Sequence, residues 1–132
     1  MLDTNMASHV IKGHPIIIRA RLAALPMNSI VISAVTQGEL LYGLARKGRP
    51  AALATLIREF LLRVGILPWD ARAATVHGDL RAACAAAGIS LGALDMMIAA
   101  HALAVGATLV TRDPVFARIP GGMLVVEDWM GE

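Results

Sequence analysis

The sequence predicts an α/β fold: a three-layer α/β/α sandwich around a central parallel sheet of four to five strands. Three observations carry this. Short, wholly apolar, β-branched runs recur along the chain, as expected of strands covered on both faces. Longer stretches of helical periodicity, bounded by capping residues and glycine stops, separate them. Strands and helices alternate within 132 residues, one domain's worth at roughly 150 residues per domain.

Taken in order, Met1-Leu2 is a strand stub ahead of Asp3. Pro15 suits a first helical turn, and Ile16 to Ala24 follows it. Ile30-Val31-Ile32 is the second strand, and Ser33 caps a helix running to about Leu44. Pro50 opens the next helix, Ala51 to Val64, where Leu53, Leu56, Ile57, Phe60, Leu61 and Val64 recur at helical spacing. Ile66-Leu67 is the third strand. Asp70 caps a helix ending near Ala87, with Gly88 as its stop, and Leu91 to Val105 forms another, stopped by Gly106. Thr108-Leu109-Val110 and Leu124-Val125-Val126 complete the sheet. No repeat, low-complexity tail or linker interrupts the pattern, so residues 1–132 read as a single domain.

Composition narrows the class. Charged residues are 17% with a net charge of +2, which excludes a disordered chain. Cys84 is the only cysteine, which excludes a disulfide scaffold; it reads as a small buried hydrophobe. No apolar run reaches the roughly 18–20 residues of a membrane span, and no basic segment leads into an apolar one at the start. A reducing cytoplasm is the expected location. Hydrophobic residues reach 57%, above the roughly 45–50% of ordinary domains, partly through alanine. The excess over one small core predicts a homodimer, with the Ala51–Val64 helix and the early helices as the surface. Arg46, Lys47 and Arg49 cluster around Gly48 and read as a solvated loop in preference to a phosphate-facing one.

Only ten residues are acidic, so each can be weighed. Asp70 is a cap. Glu59 and Asp79 can pair with neighbouring arginines, and Glu127, Asp128 and Glu132 lie late in the chain. Four are different. Asp3 follows the first strand and Asp113 the fourth, and in a parallel sheet the carboxyl ends of strands share the edge where ligands bind. Glu39 lies in the helix after the second strand, and Asp95 at the start of the apolar helix Ala93-Leu94-Asp95-Met96-Met97-Ile98. Any one of them alone is explained as a turn or cap. Acids among Leu, Met and Ala are costly without a partner, so Glu39 and Asp95 are the informative pair. Two carboxylates 4 Å apart repel by about 4 kcal/mol at an effective dielectric near 20. Four converging carboxylates therefore call for a cation, and oxygen donors suit Mg²⁺ or Mn²⁺. His9, His14, His77 and His101 lack metal-ligand spacing and read as surface or polar core residues.

The residues then resemble a family. Leu2-Asp3-Thr4-Asn5, Ile32-Ser33 with Glu39-Leu40 and Gly43, Leu94-Asp95 with Ile98-Ala99 and His101-Ala102, Val110-Thr111-Arg112-Asp113-Pro114, Ile119-Pro120-Gly121 and Glu127-Asp128-Trp129 follow the order and spacing of PIN-domain ribonucleases. The likeness is to the VapC-type toxins of bacterial toxin–antitoxin pairs and spans essentially the whole chain. It implies a PIN-like α/β/α fold and a metal-dependent endoribonuclease. Asp3, Glu39, Asp95 and Asp113 would be catalytic and hold Mg²⁺ or Mn²⁺. Asn5 and Thr111 would support the acids. The ion would activate water for in-line attack on a phosphodiester. The resemblance further implies a structured RNA such as tRNA as substrate, a cognate antitoxin protein as partner, and a homodimer. Aromatic residues are 4%, too few for a base-stacking platform, so recognition is expected through backbone charge and shape.

Two rivals compete. A phosphate-accepting receiver or haloacid-type phosphatase needs a second Asp beside the first and a Lys after a later strand. No Asp-x-Asp occurs, and the only lysines are Lys12 and Lys47. The other rival is a non-catalytic PIN-like module that binds RNA or protein and carries the four acids as relics.

Overall fold

The computed structural model describes residues 1–13 and 16–129. Pro15 with its expected helix-opening role, His14 and Glu132 lie outside the described residues.

Asp3 begins the first helix, α1 (Thr4–Lys12), by accepting the Met6 N–H on its carboxylate at 2.9 Å. The sequence reading left this helix out. α2 (Ile16–Ala23) follows, then a 3-10 turn, Met27–Ser29, and β1 (Val31–Ser33). Ser33 caps α3 (Ala34–Arg46) as expected, accepting the Val35 N–H at 3.1 Å. α4 (Ala51–Arg63) leads into β2 (Gly65–Leu67). Asp70 caps α5 (Ala71–Ala87) through the Ala73 N–H at 3.1 Å, and Gly88 ends it with φ of 70°. α6 (Ala93–Val105) ends at Gly106 with φ of 68°. β3 (Leu109–Val110), a 3-10 turn Pro114–Arg118 and β4 (Val126–Glu127) complete the chain.

All strand pairings among the described residues are parallel. β1 pairs with β2, Ile32 opposite Ile66, and β3 with β4, Val110 opposite Glu127. The Met1–Leu2 stub joins the two pairs. Leu2 donates its N–H to Val31 at 3.0 Å, and Val110 donates to Met1 at 2.8 Å. The sheet order is therefore β2, β1, Met1–Leu2, β3, β4: the expected five segments, with the stub at the centre. Gly65 allows β2 to lie close to β1, since a Cβ there would stand 3.1 Å from a Val31 methyl group and push it aside.

Side chains alternate across this sheet and divide the core in two. Met1 and Leu109 face a cluster with Leu80 and Cys84 of α5 and Ile98, Ala99 and Ala102 of α6. Leu2, Ile32 and Val110 face the opposite cluster, with Met6 of α1, Ile18 of α2, Leu40 of α3 and Phe60 of α4. Helices thus cover both faces, as the three-layer prediction requires. Cys84 is buried and free, also as expected.

Three further observations bear on the surface. Glu59 and Asp79 form no ion pair with the described arginines; Arg21 instead lies 3.9 Å from Glu127. No helix among the described residues is long and apolar enough to cross a membrane. An apolar groove of about 890 Å³ opens between α1, α2 and α4, lined by Ile16, Leu25, Met27, Leu56 and Phe60 among others. Ile16 is 78% exposed there, so this part of the surface is unusually greasy.

Candidate functional site

Four segments of the chain deliver carboxylates to the carboxyl edge of the sheet. Asp3 follows the central stub, Glu39 sits in the second turn of α3 after β1, Asp95 in the first turn of α6, and Asp113 just beyond β3. Asp3 is buried, Glu39 and Asp95 are half-buried, and Asp113 is exposed.

Their charges act on one another. The Asp95 carboxyl is pushed above the ordinary Asp value, first by burial and then by the negative charges of Glu39, Asp3 and Asp113. It stays high although Asp95 lies at a helix N-terminus, where the backbone dipole favours an anion. Asp3 is raised as well. Burial is the main cause and Asp113 adds to it, while hydrogen bonds from the Thr111 hydroxyl and the Met6 N–H, with the nearby His9, pull it back. The structure thus draws the four sequence-selected acids into one electrostatic neighbourhood.

Local donors hold three of these carboxylates. Asp3 is held by Met6 and Thr111. Asp113 accepts the Val115 N–H at 3.0 Å, and so caps the following 3-10 turn. Glu39 accepts the Thr4 hydroxyl, which ties α3 to α1. Thr111 serves two acids, because its hydroxyl also accepts the Asp113 N–H at 3.1 Å. Asn5, expected beside Thr111 in support of the acids, is exposed and lines a small groove next to Glu39.

The donor set is all oxygen and carries excess negative charge, which suits a hard divalent cation. Side-chain placement is less advanced: among the described residues no three His, Cys, Asp or Glu side chains stand together as ready metal ligands. Three of the four carboxylates are engaged by nearby N–H and O–H donors. By donor chemistry the residues fit Mg²⁺ or Mn²⁺.

Two contributors were not picked out from sequence. Thr4 holds Glu39, and the signal for it was Asp3 followed by Met6, Ala7 and Val10 at helical spacing, which places Thr4 in a first turn. His101 is buried, and its Nδ1 lies 2.7 Å from the Ser33 hydroxyl, linking α6 to the end of β1. A buried polar contact was one of the two roles expected for His101. Its partner was the missing part.

The chain is similar to known proteins over most of its length. The PIN domain family matches residues 1–122. The chain is 39% identical to the tRNA(fMet)-specific endonuclease VapC of Shigella flexneri, over 98% of this chain and 96% of that one. It is 35% identical to ribonuclease VapC2 of Rickettsia felis, over 98% and 96%. Among solved structures, VapBC2 from Rickettsia felis bound to a promoter DNA fragment superposes with a TM-score of 0.90 at 35% identity, over 98% of this chain and 97% of that one. DNA-bound VapBC from Salmonella typhimurium gives 0.88 at 37%, over 98% and 96%.

Proposed function

The chain belongs to the PIN-domain family, and from this we infer that it is an endoribonuclease, the toxin of a toxin–antitoxin pair, and that its antitoxin is a protein partner. A transfer RNA is the proposed substrate, by likeness to relatives named for cutting one. We propose that Asp3, Glu39, Asp95 and Asp113 are its catalytic acids and that they hold Mg²⁺ or Mn²⁺. One observation carries this assignment: Asp95, raised first by its burial, is raised further by three carboxylates from three other segments of the chain.

When bound, the ion supplies water activation and neutralises charge on the phosphodiester. The rest falls to the protein. Asp3 and Asp95 are half or more withdrawn from solvent, so their charge acts at low screening on whatever cation enters. Thr111 fixes Asp3 and the backbone of Asp113 with one hydroxyl, and Thr4 orients Glu39. These hydroxyls set the carboxylate directions that a cation must meet. Water adds to phosphorus as the bond to the 3′ oxygen breaks, and that oxygen leaves with a proton.

Cytoplasmic location and a homodimer complete the proposal. The apolar groove of α1, α2 and α4 is a surface that a protein partner would cover. A non-catalytic module is the second reading, favoured by the absence among the described residues of three acids already set as ligands. Incubating the purified chain with a transfer RNA transcript, with Mn²⁺ or with EDTA, separates them. Cleavage with Mn²⁺ that EDTA and Asp95→Asn both abolish supports the nuclease. Binding without cleavage by the intact parent supports the module.

A further inference from the structure

The chain's only lysines, Lys12 and Lys47, are 35 positions apart in sequence yet flank one small groove. The groove holds about 170 Å³ and runs between α1, α3 and α4. Glu39, one of the four site acids, forms part of its wall, with Thr4, Asn5 and Ser8 beside it. Leu40, Leu44, Leu53 and Ile57 form an apolar floor. The groove therefore shares Glu39 with the acidic edge and sets two cations against that one carboxylate.

The loop that delivers Lys47 is built to an unusual shape. Gly48 has φ of 81°, and Arg49, without a glycine's freedom, has φ of 56°. Left-handed backbone at an arginine is strained, and it persists only where surroundings fix it. Here the Arg49 N–H donates to Leu44 at 3.0 Å and the Gly48 N–H to Ala45 at 3.0 Å. The loop is pinned back onto the end of α3, with Lys47 as the helix's C-cap residue. Lys12 occupies the last turn of α1. Both ammonium groups also suit the negative helix ends, but that accounts for neither their shared groove nor its polar wall beside Glu39.

We propose that this groove is a phosphodiester subsite, in which Lys12 and Lys47 hold the RNA backbone next to the acids. This rests on the ribonuclease reading. An RNA strand approaching four carboxylates is repelled unless cations stand on its path, and in this groove the two lysines are those cations. The apolar floor accepts a sugar or base face without an aromatic platform. Lys12 and Lys47 are positioning residues: they bind substrate equally in ground and transition states, so their loss weakens binding more than chemistry.

The test uses the intact chain and a transfer RNA transcript. Binding is measured across a salt series in EDTA, and cleavage with Mn²⁺. The double variant Lys12→Ala/Lys47→Ala should bind more weakly, and its slope of log affinity against log salt should fall by about 1.4 for two lost single-strand phosphate contacts. KM should rise several-fold with kcat nearly kept. Lys12→Arg/Lys47→Arg should restore both slope and KM, since charge is what the groove supplies, and equal melting temperatures for all three proteins would exclude a folding defect. If the parent cleaves RNA and the alanine variant matches it in slope and KM, the subsite is overturned and the nuclease reading stands. If the parent neither binds nor cleaves RNA, both fall.

Discussion

Ser33 and His101 meet in the interior, hydroxyl to ring nitrogen at 2.7 Å, 68 positions apart in sequence. Ser33 ends β1 and caps α3, the helix of Glu39; His101 lies on α6, the helix of Asp95. This one bond therefore fixes the spacing of two acid-bearing helices. Ser33→Ala should lower stability by about 1–3 kcal/mol, as for a buried polar group left without its partner. Thermal melting checks the loss, and an unchanged melting temperature would show that the bond is incidental.

The same pair predicts a pH effect. Burial pushes the His101 ring below its ordinary value, against a smaller upward pull from Asp70. The folded chain then refuses a proton that the unfolded chain accepts, so stability falls as pH drops through the unfolded value near 6.5. The loss levels off below the folded value. In His101→Asn this part of the slope should vanish. Melting curves of parent and variant between neutral and mildly acidic pH should draw together on acidification, and parallel curves would contradict the argument.

Asp95→Asn is nearly isosteric, so packing beside Met96 and Ile98 should survive. It removes one charge from a cluster of like charges. In EDTA the variant should match or exceed the parent, by about 1 kcal/mol on the scale of a partly screened pair. With saturating Mn²⁺ the order should shrink or reverse, because the parent gains binding energy that the variant has lost. RNA cleavage should fall by orders of magnitude. Strong destabilisation in EDTA would instead mark Asp95 as structural.

Thr111→Val keeps the shape and deletes the hydroxyl that serves both Asp3 and Asp113. Asp3 should titrate higher still, having lost a donor to its charged form. Cleavage should drop by about 10–100-fold, the usual scale for a residue that orients a ligand. Thr111→Ser should recover most of it. Equal rates for valine and parent would remove Thr111 from the mechanism.

The chain should be dimeric by light scattering at micromolar concentration, and co-expression with its antitoxin should give a complex without nuclease activity. A clean monomer would sink the first expectation, and a fully active stable complex the second.

Much of this was legible in the residues. β1 and β3 announced themselves as short apolar runs because they lie inside the sheet and are largely buried, whereas the edge strands β2 and β4 are partly exposed and β4 ends in Glu127; Ser33, Asp70, Gly88 and Gly106 marked helix ends through their own chemistry. α1 was not legible. Thr4, Asn5 and Ser8 are weak helix formers, and its apolar face is short, made of Met6, Ala7, Val10 and Ile11. Tertiary contact with Leu2 and Ile18 stabilises it, which no local pattern reports. The acids were legible because strand ends and helix starts are countable positions. Where each carboxylate points was not, since this depends on donors such as Thr4 and Thr111, which reach it only in the folded chain.

The central place of Leu2 has a consequence for synthesis. Its neighbours across the sheet are Val31 and Val110, so the middle of the molecule is assembled from segments that lie 29 and 108 positions further along the chain. Emerging at roughly 5–20 residues per second, the nascent chain spends seconds with Asp3 translated but its partner Thr111 still unmade. During that interval no complete acidic edge exists. The proposed set of acids is therefore completed only once Asp113 has been made and the strand before it has paired with the central stub.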